Sequence, residues 1–357
     1  MKSFEHRKYL RKYPILHTLP RSDAPLCGVV IPACNELDEI DSTLASLKIA
    51  AANSPLAPLI ITVINYPPGA DPGESLELKR RFEHNCYPGV IPLYLPELHG
   101  GVGAARKAGM DALIASIASE YLEESAIFSL DADTQVAPEY FRTVLPLIQN
   151  FGTVSIGFRH RPAATAELQR AIDHYEKYLK RYVDKLRDAG SPYAFYTIGS
   201  AFGVRADVYI KCGGMKVREA GEDFYFLQSA AKISGVHQLE TPLVFPSPRP
   251  SDRVPFGTGP AVTSLMAGKA PAEIPDEAFK KLAALLAAAA VDEKLKNISL
   301  LQNTICRKSA AFLDREKFFE RWPGMLKNLP DTPEKRRRAF HEWFDGLKTL
   351  RFLHFFT

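Results

Sequence analysis

The sequence Ser129-Leu130-Asp131-Ala132-Asp133-Thr134 follows directly on the apolar run Ala126-Ile127-Phe128. A short apolar run of this kind predicts a buried strand, and it places Asp131 and Asp133 at the strand's carboxyl end, where open α/β sheets bind ligands. Residues two apart in an extended segment point to the same side, so the two carboxylates repel each other unless a cation lies beside them. Because Mg²⁺ commonly joins one or two carboxylates to substrate phosphates, the stretch suggests a site for a metal and a diphosphate. A solvated acidic turn is the alternative for so short a pattern.

The composition of the chain is that of a globular protein with a mild charge. Its 357 residues are 46% hydrophobic, which is enough for a well-buried core in one large domain, or in one domain with an appendage. The net charge is +4, from 45 basic and 41 acidic residues. This small excess gives no reason to expect a nucleic-acid partner.

The cysteines and the apolar segments bear on the cellular compartment. Five cysteines are scattered without a C-x-x-C pair, which argues against a disulfide framework or a cysteine zinc site and fits a reducing compartment. The N-terminus is basic but lacks the apolar core of a signal peptide, and the longest apolar run, residues 282–291, is too short to span a bilayer. These features predict a soluble cytoplasmic protein.

Two features leave room for a weak contact with the inner face of a membrane that carries a lipid acceptor. They are the basic N-terminus and the aromatic C-terminal residues Phe352, Phe355 and Phe356. We prefer to interpret these aromatic side chains as packed within the protein.

Short apolar segments alternate with helical patterns over the first half of the chain. We predict strands at 27–32, 59–64 and 90–95 and in the run before Asp131, with helices between them, the first of which is capped by Asn35. Such alternation is typical of an α/β fold with a mainly parallel sheet that is flanked by helices.

The second half of the chain is less regular. A strand is predicted at 153–158, a long charged helix at 165–188 and a further strand at 236–245. From about residue 271 the composition shifts to Ala, Leu, Lys and Glu with helical spacing. We therefore predict three parts, namely a leader over 1–25 that packs on the main domain, a main domain over 26–265 and a helical C-terminal region over 271–357.

Four motifs occur in order over roughly residues 26–260. They are Val30-Ile31-Pro32-Ala33-Cys34-Asn35-Glu36, Gly103-Ala104-Ala105-Arg106-Lys107-Ala108-Gly109, Asp131-Ala132-Asp133, and Gly213-Gly214-Met215 followed by Glu222-Asp223. In this order they resemble the IPAYNE strand, the G-x-x-x-A-R-N-x-G helix start, the DxD motif and the GG…ED segment of GT-A glycosyltransferases, closest to glycosyltransferase family 2. The resemblance implies a Rossmann-like GT-A fold and a hexosyltransferase-type enzyme that depends on a nucleotide sugar.

The resemblance implies a donor site around the first strand and the DxD motif. Pro32 and Glu36 would help to hold the nucleotide, and Asp131 would contact hydroxyls of the sugar or the ribose. Arg106 would reach the diphosphate, because the N-terminus of its helix already favours an anion. Asp131 and Asp133 would bind Mg²⁺ or Mn²⁺.

Asp223 is the residue that we expect to act as general base. A sugar transfer that inverts the anomeric carbon needs a carboxylate to accept the proton of the attacking hydroxyl, while the metal stabilises the departing diphosphate. Glu222 points elsewhere on a helix and would orient loops or bind acceptor hydroxyls. A pair of carboxylates with a purely capping role is the alternative.

Arg249 and Arg253 lie in a basic, glycine-containing loop after the last predicted strand. Arginine side chains match phosphate oxygens in a bidentate manner, so we expect the loop to close over the donor diphosphate or a phosphorylated acceptor. A plain surface loop is the alternative. His237 is either a third metal ligand or a structural histidine, and we prefer the second role.

Two departures from the family pattern concern substrate recognition. Family members commonly end the second strand with an acidic pair that binds the base or the ribose, whereas this chain has Asn65 followed by Tyr66-Pro67-Pro68. Asn65 could still form a hydrogen bond with the donor. The helix at 165–188 occupies the place of the usual acceptor-binding elements, and its sequence names no acceptor, so carbohydrate, lipid-linked and small-molecule acceptors all remain open.

Three other interpretations are open. A retaining GT-A transferase, such as those that make glucosyl- or mannosylglycerate, shares the strand and DxD core but lacks a dedicated base. A nucleotidyltransferase also uses an α/β sheet and Mg²⁺, but no glycine-rich, lysine-containing phosphate motif lies near the first strand. A catalytically inactive GT-A-fold binding protein would not need Glu36, Asp131, Asp133 and Asp223 together.

Overall fold

The structure is a computed structural model that describes residues 2–249, 258–269 and 273–357. The chain divides into two compact units, Met1–Glu176 with Phe195–Lys269 and Lys177–Ala194 with Ala270–Thr357. The predicted boundaries did not anticipate that residues 177–194 belong with the C-terminal helices. The division into leader, main domain and C-terminal region stays a prediction.

The first unit is built on one sheet of eight strands. Its strands are β1 (Cys27–Ala33), β2 (Pro58–Asn65), β3 (Val90–Leu95), β4 (Ala126–Ser129), β5 (Thr134–Val136), β6 (Thr153–Phe158), β7 (Phe202–Arg205) and β8 (His237–Pro246). They lie in the order β3-β2-β1-β4-β7-β6-β8-β5. All seven residues of β1 are buried, which is why this strand reads as a continuous apolar run.

The sheet is parallel on one side and mixed on the other. β3, β2, β1 and β4 run parallel to one another, as the alternation of strands and helices predicts. β7 is antiparallel to both β4 and β6, β8 is parallel to β6, and β5 is antiparallel to β8. The expected α/β fold is confirmed, with a mixed sheet. The chain runs outward from β1 to β3 and returns on the other side of β1 as β4, and such a switch point opens a crevice at the carboxyl ends of the strands.

Helices of the first unit flank this sheet. They are α1 (Lys2–Lys12), α2 (Ile40–Ala52), α3 (Gly73–Glu83), α4 (Gly101–Ser116), α5 (Tyr140–Phe151), α6 (Ala166–Asp188, whose last part belongs to the second unit), α7 (Ala206–Lys211), α8 (Glu222–Ile233) and α9 (Thr258–Met266), with a short 3-10 helix at Ser119–Tyr121. α1 is anchored by buried side chains, since the hydroxyl of Tyr9 donates to Asp111 Oδ1 at 2.6 Å and His6 Nδ1 lies 3.0 Å from Ser119 Oγ.

The predicted N-cap at Asn35 is wrong. α2 begins at Ile40, and Glu39 occupies its N-cap position without a capping side-chain bond. Asn35 has a φ of 52°, and its side-chain oxygen accepts a hydrogen bond from Ser75 Oγ at 3.1 Å. Asn tolerates the left-handed region and therefore suits a tight turn after β1 better than a helix start.

The second unit is a bundle of helices around an aromatic core. Its helices are α10 (Asp276–Ala289), α11 (Asp292–Lys296), α12 (Ile298–Thr304), α13 (Arg307–Arg315), α14 (Phe318–Leu326), α15 (Pro333–Trp343) and α16 (Gly346–His354). Phe312, Trp322 and Phe352 are fully buried in this core. Phe355 and Phe356 are half-buried against it, with ring centroids 5.6 Å from Phe312 and 5.0 Å from Phe352, respectively. Over the described ranges, none of the helices combines the length and the apolar character that crossing a bilayer requires.

Candidate active site

The carboxyl ends of β1 and β4 carry the IPAYNE-like and DxD motifs. Glu36 comes three residues after the end of β1, and Asp131 comes two residues after the end of β4. These strands are parallel neighbours, with Val30 paired to Ser129, so both carboxylates lie at the same edge of the sheet. This edge is the switch point, where open α/β sheets form their ligand crevice.

The start of α4 is shaped by glycines that admit close backbone contacts. Gly100 and Gly101 have φ angles of 89° and 59°. A Cβ on Gly103 would lie 2.5 Å from the carbonyl oxygen of Lys216, so only glycine lets the first turn of α4 pack on the segment that leads to α8. The glycine motif thus brings Arg106 close to the first residues of α8.

The guanidinium of Arg106 joins the DxD motif to the start of α8. Its Nε donates to Ser129 Oγ at 2.9 Å, Nη1 donates to Glu222 and Nη2 donates to Asp131. The side chains of Arg106 and Glu222 are only 3% and 4% exposed. Gly199 packs on the guanidinium, since a Cβ there would lie 2.5 Å from Nη2. Arg106 is therefore a buried cross-link between two carboxylates from distant parts of the chain.

This arrangement does not fit two of the roles that the resemblance implied. The guanidinium of Arg106 is enclosed and bonded to protein partners, so it is not free to lie along a diphosphate. The carboxylate of Glu222 is buried and paired with Arg106, so it is not free to bind an acceptor hydroxyl. The physical reason is that carboxylates withdrawn from water need a shared positive charge. Glu222 thus holds Arg106, and Arg106 holds Asp131.

Arg249 binds two further motif carboxylates, those of Glu36 and Asp133. Its Nε donates to Asp133 Oδ2 at 3.2 Å, and its Nη2 donates to Glu36. The side chain of Arg249 is 31% exposed, so it lies on the solvent side of the carboxylates. Arg253, the other arginine of the predicted loop, lies outside the described residues.

A second ion pair beside Asp133 was missed by the sequence analysis. Arg161 Nη2 donates to Glu39 Oε2 at 2.6 Å and to the carbonyl oxygen of Asp133 at 3.3 Å. Ser247 Oγ donates to the other oxygen of Glu39 at 3.1 Å. These four residues come from distant positions in the chain, so no local motif indicates that they meet.

Carboxylates outnumber arginines at this edge of the sheet. The described residues bring together the carboxylates of Glu36, Glu39, Asp131, Asp133, Glu222 and Asp223 and the guanidinium groups of Arg106, Arg161 and Arg249. Loss of water around the carboxylates raises the pKa values of Asp131 and Asp133, and the neighbouring arginines Arg106 and Arg249 offset only part of that rise. The edge therefore carries uncompensated negative charge.

Asp223 lies half-buried in the first turn of α8. Its Oδ1 accepts a hydrogen bond from the backbone N–H of Phe224 at 2.7 Å. Burial, and next the charge of Glu222, raises the pKa of Asp223 to about 7. A carboxylate with a pKa near neutrality is suited to take up a proton in a reaction.

The DxD carboxylates suit a divalent cation. Across the described ranges, no three or more His, Cys, Asp or Glu side chains form a ready-made metal cluster. Mg²⁺, however, usually takes only one or two protein carboxylates and completes its shell with phosphate oxygens and water. Asp131 and Asp133 supply two such oxygen donors at an edge where carboxylates outnumber arginines, so this donor set fits Mg²⁺ or Mn²⁺ held together with a diphosphate.

His237 lies away from these carboxylates. It begins β8, whereas the other end of that strand, Pro246, pairs with Thr134 beside the DxD motif. Its ring stacks on Phe151 with the centroids 4.2 Å apart. This position fits the structural role and not that of a third metal ligand.

Asn65 and Pro32 are held within the sheet. Asn65 Nδ2 donates to the carbonyl oxygens of Ala33 and Val63 at 3.3 and 3.0 Å, which ties the end of β2 to the end of β1. Pro32 is buried in β1, opposite Val63. Contacts of these two residues with the donor stay predictions.

A family model matches about half of the sequence. The model of Glycosyl transferase family 2 matches residues 28–213. This range contains all of β1 except its first residue, together with Arg106 and the DxD motif, and it ends before Glu222 and Asp223. No curated protein matches the sequence.

Solved structures resemble the chain at low sequence identity. S. aureus TarS 1-349 in complex with UDP-GlcNAc is 11% identical, with 89% of this chain and 91% of that chain covered and a TM-score of 0.44. The mannosyltransferase PcManGT from Pyrobaculum calidifontis, in complex with GDP-Man and Mn²⁺, is 15% identical, with 96% and 94% covered and a TM-score of 0.40.

Proposed function

This chain belongs to glycosyl transferase family 2, and from this premise we propose that it moves a sugar from a nucleoside-diphosphate donor to an acceptor hydroxyl with inversion at the anomeric carbon. The enzyme class, a nucleotide-sugar-dependent glycosyltransferase, follows from the family. The stereochemistry, the base and the metal are our proposal. The observation that carries it is the Arg106 cross-link, which holds Asp131 and the neighbour of Asp223 together at the switch point.

The donor would occupy the crevice between the carboxyl ends of β1 and β4. Glu36 borders it on the β1 side, and Asp131, whose side chain is 37% exposed, borders it on the β4 side. We assign the diphosphate contact to Arg249 in place of Arg106, because Arg249 is partly exposed and already lies over Asp133 and Glu36. Glu36 would then hold the nucleotide.

Asp223 would act as general base in the transfer step. The acceptor oxygen attacks the anomeric carbon, and the bond from that carbon to the diphosphate oxygen breaks, with its electron pair leaving on the diphosphate. Asp223 accepts the proton of the acceptor hydroxyl. Its pKa of about 7 means that the carboxylate is a stronger base than an exposed aspartate and is still substantially ionised near neutral pH.

Asp131 and Asp133 would hold the divalent cation, and Mg²⁺ or Mn²⁺ bound there would supply Lewis-acid stabilisation of the leaving diphosphate. Arg106 fixes Asp131, and Arg249 fixes Asp133, so both carboxylates are oriented before a donor binds.

Thermal shift with a panel of donors tests the proposed site. We expect that one class among UDP-, GDP-, ADP- and dTDP-sugars, with Mn²⁺, raises the melting temperature of the wild type by about 5 °C at roughly one hundred times its Kd. Asp133→Ala should abolish this shift, because the metal and the diphosphate lose a ligand. The measurement is the melting temperature with and without Mn²⁺.

Asp314→Ala is the matched control for this experiment, since Asp314 is exposed and lies in the second unit. It should keep the full donor-dependent shift. A shift that persists in Asp133→Ala would contradict a metal at the DxD motif. No shift with any donor at millimolar concentration would favour a catalytically inactive binding protein.

The stereochemistry separates the inverting enzyme from the retaining alternative. We expect the sugar in the product to have the anomeric configuration opposite to that in the donor, because Asp223 provides the base that direct displacement needs. Proton NMR of the first product formed, read from the coupling of the anomeric proton, measures this. A product with the same anomeric configuration as the donor would contradict the proposed role of Asp223 as general base.

A further inference from the structure

A cavity of about 420 Å³ lies in the first unit, beside the DxD motif. Its volume is in the range of small-molecule binding pockets. The walls come from the segment after β6, including Arg159 and Arg161, from the first half of α6, and from Gln135 and Phe245. The donor site proposed above gives this cavity no role.

The cavity adjoins the proposed metal carboxylates. Arg161 donates from its wall to the carbonyl oxygen of Asp133 at 3.3 Å. Gln135 follows Asp133 by two residues and pairs with Phe245 across the antiparallel strands β5 and β8. Side chains of directly opposed residues share one face of a sheet, so the amide and the ring lie together. A molecule in the cavity would therefore lie next to the metal and the diphosphate.

The carboxylates of the cavity already have partners. Glu176 Oε1 accepts a hydrogen bond from the backbone N–H of His160 at 2.6 Å and lies 2.8 Å from the ring Nδ1 of the same residue. Asp173 Oδ1 accepts a hydrogen bond from Gln169 Nε2 at 2.8 Å. The contacts of Glu176 hold the segment after β6 against α6, whereas that of Asp173 lies within α6, and both carboxylates already accept hydrogen bonds from the protein.

The two arginines that line the cavity keep N–H groups without a partner among the described residues. Arg159 is exposed, and its guanidinium has no hydrogen-bond or ion-pair partner among residues 2–249, 258–269 and 273–357. Arg161 Nε is buried and also lacks a partner within these ranges. A buried N–H group without an acceptor is costly, and such a group commonly marks the place of an absent ligand or water. Both arginines of the cavity wall therefore retain cationic N–H groups that could bind a ligand.

We propose that this cavity is the acceptor site and that the acceptor carries an anionic group, a phosphate or a carboxylate, on a sugar or polyol. Arg159 holds the anion, Arg161 Nε donates to an oxygen of the same molecule, and Phe245 packs on its apolar face. This inference rests on the proposed function. An anion placed at Arg159 orients the acceptor relative to the donor, because a guanidinium binds phosphate and carboxylate oxygens through paired N–H groups.

Calorimetric titration of the full chain with three probes tests this inference. The probes are glucose, glucose 6-phosphate and glucuronate, titrated at 150 mM salt so that non-specific attraction is screened. We expect at least one anionic probe to bind about tenfold more tightly than glucose, the gain typical of a charge-assisted hydrogen bond. The two anionic probes also tell a phosphate-bearing acceptor from a carboxylate-bearing one.

Arg159→Gln should remove this gain and leave the binding of glucose unchanged. Arg170→Gln is the matched control, because Arg170 is exposed on α6 and does not line the cavity. Equal binding of all three probes, an undiminished gain in Arg159→Gln, or an equal loss in Arg170→Gln would overturn the proposal.

The donor thermal shift separates this inference from the proposed function. Arg159→Gln should keep the Mn²⁺-dependent donor shift, and Asp133→Ala should keep the preference for an anionic probe. A wild type without any donor shift would count against the proposed donor site alone. A wild type with the donor shift and no preference for an anionic probe would count against the acceptor class alone.

Discussion

Asp223→Asn should lower the kcat of sugar transfer by about 10²- to 10⁴-fold, with little change in the KM for the donor. Asparagine has nearly the shape of aspartate but cannot accept the proton of the acceptor hydroxyl. The loss should therefore fall on the chemical step and not on donor binding. Initial rates at several donor concentrations separate the two effects.

The pH dependence of kcat/KM provides a second signature of Asp223. The wild-type value should rise as the pH passes through about 7, because the carboxyl holds its proton below that pH and is ionised above it. The same raised pKa works against stability. Between about pH 4 and pH 7 the carboxyl is protonated in the native state and ionised in the unfolded state. The contribution of Asp223 to the free energy of unfolding therefore falls as the pH rises through this range.

Glu219→Gln is the matched control for Asp223→Asn, since Glu219 is an exposed carboxylate four residues earlier in the chain. It should keep both the rate and the rising limb of the profile. An Asp223→Asn enzyme with a rate within a few-fold of the wild type would contradict the assignment of the base. So would a wild-type profile that is flat from pH 5 to 8.

Arg106→Met should lower the free energy of unfolding of the first unit by about 3–5 kcal/mol at pH 8. Methionine fills much of the space but leaves Glu222 and Asp131 without the cation that they share. Glu222 is almost fully buried, so its charge cannot be compensated by water. Denaturant titration of the variant and of the wild type measures this loss in the free energy of unfolding of the first unit.

The loss in Arg106→Met should be smaller at pH 5 than at pH 8. Without the arginine, the pKa of Asp131 rises further, so this carboxyl is neutral up to higher pH in the native state, and a neutral carboxyl is less costly to bury. Arg181→Met is the matched control, because Arg181 is 39% exposed and pairs with Glu273 and Asp276 on the surface of the second unit. Such a pair contributes at most about 1 kcal/mol. An equal, pH-independent loss in the two variants would contradict the buried cross-link.

The core of the fold could be predicted from the sequence because its signals are local. Short apolar runs give the buried strands, and the helical patterns between them force parallel pairing on the side of β1 to β4. The order of the four motifs indicated the family, and the family match confirms it. The strand bounds and the mixed pairing beyond β4 were harder to predict from the sequence, because antiparallel partners such as β7 and β4 are far apart in the chain.

The turn after β1 shows how a local rule can fail. Asparagine is a preferred N-cap residue, but the chain continues through a turn after Asn35 before α2 begins. The hydrogen-bond partner of the Asn35 side chain is Ser75, at the start of α3. The competing interaction is tertiary, and nothing in residues 33–40 signals it.

By itself, the sequence determined the α/β core, the glycosyltransferase family and the placement of Asp131 and Asp133 at the end of a strand, because these depend on periodicity and on short ordered motifs. Only the tertiary structure decided which charges meet. It buries Arg106 between Asp131 and Glu222 and sets Arg249 over Asp133. Beside a cavity, it leaves the guanidinium of Arg159 without a partner among the residues that the structure describes. The physical reason is that the need of a buried carboxylate for a cation can be met from any position in the chain, so the pairing is fixed by packing and not by sequence distance.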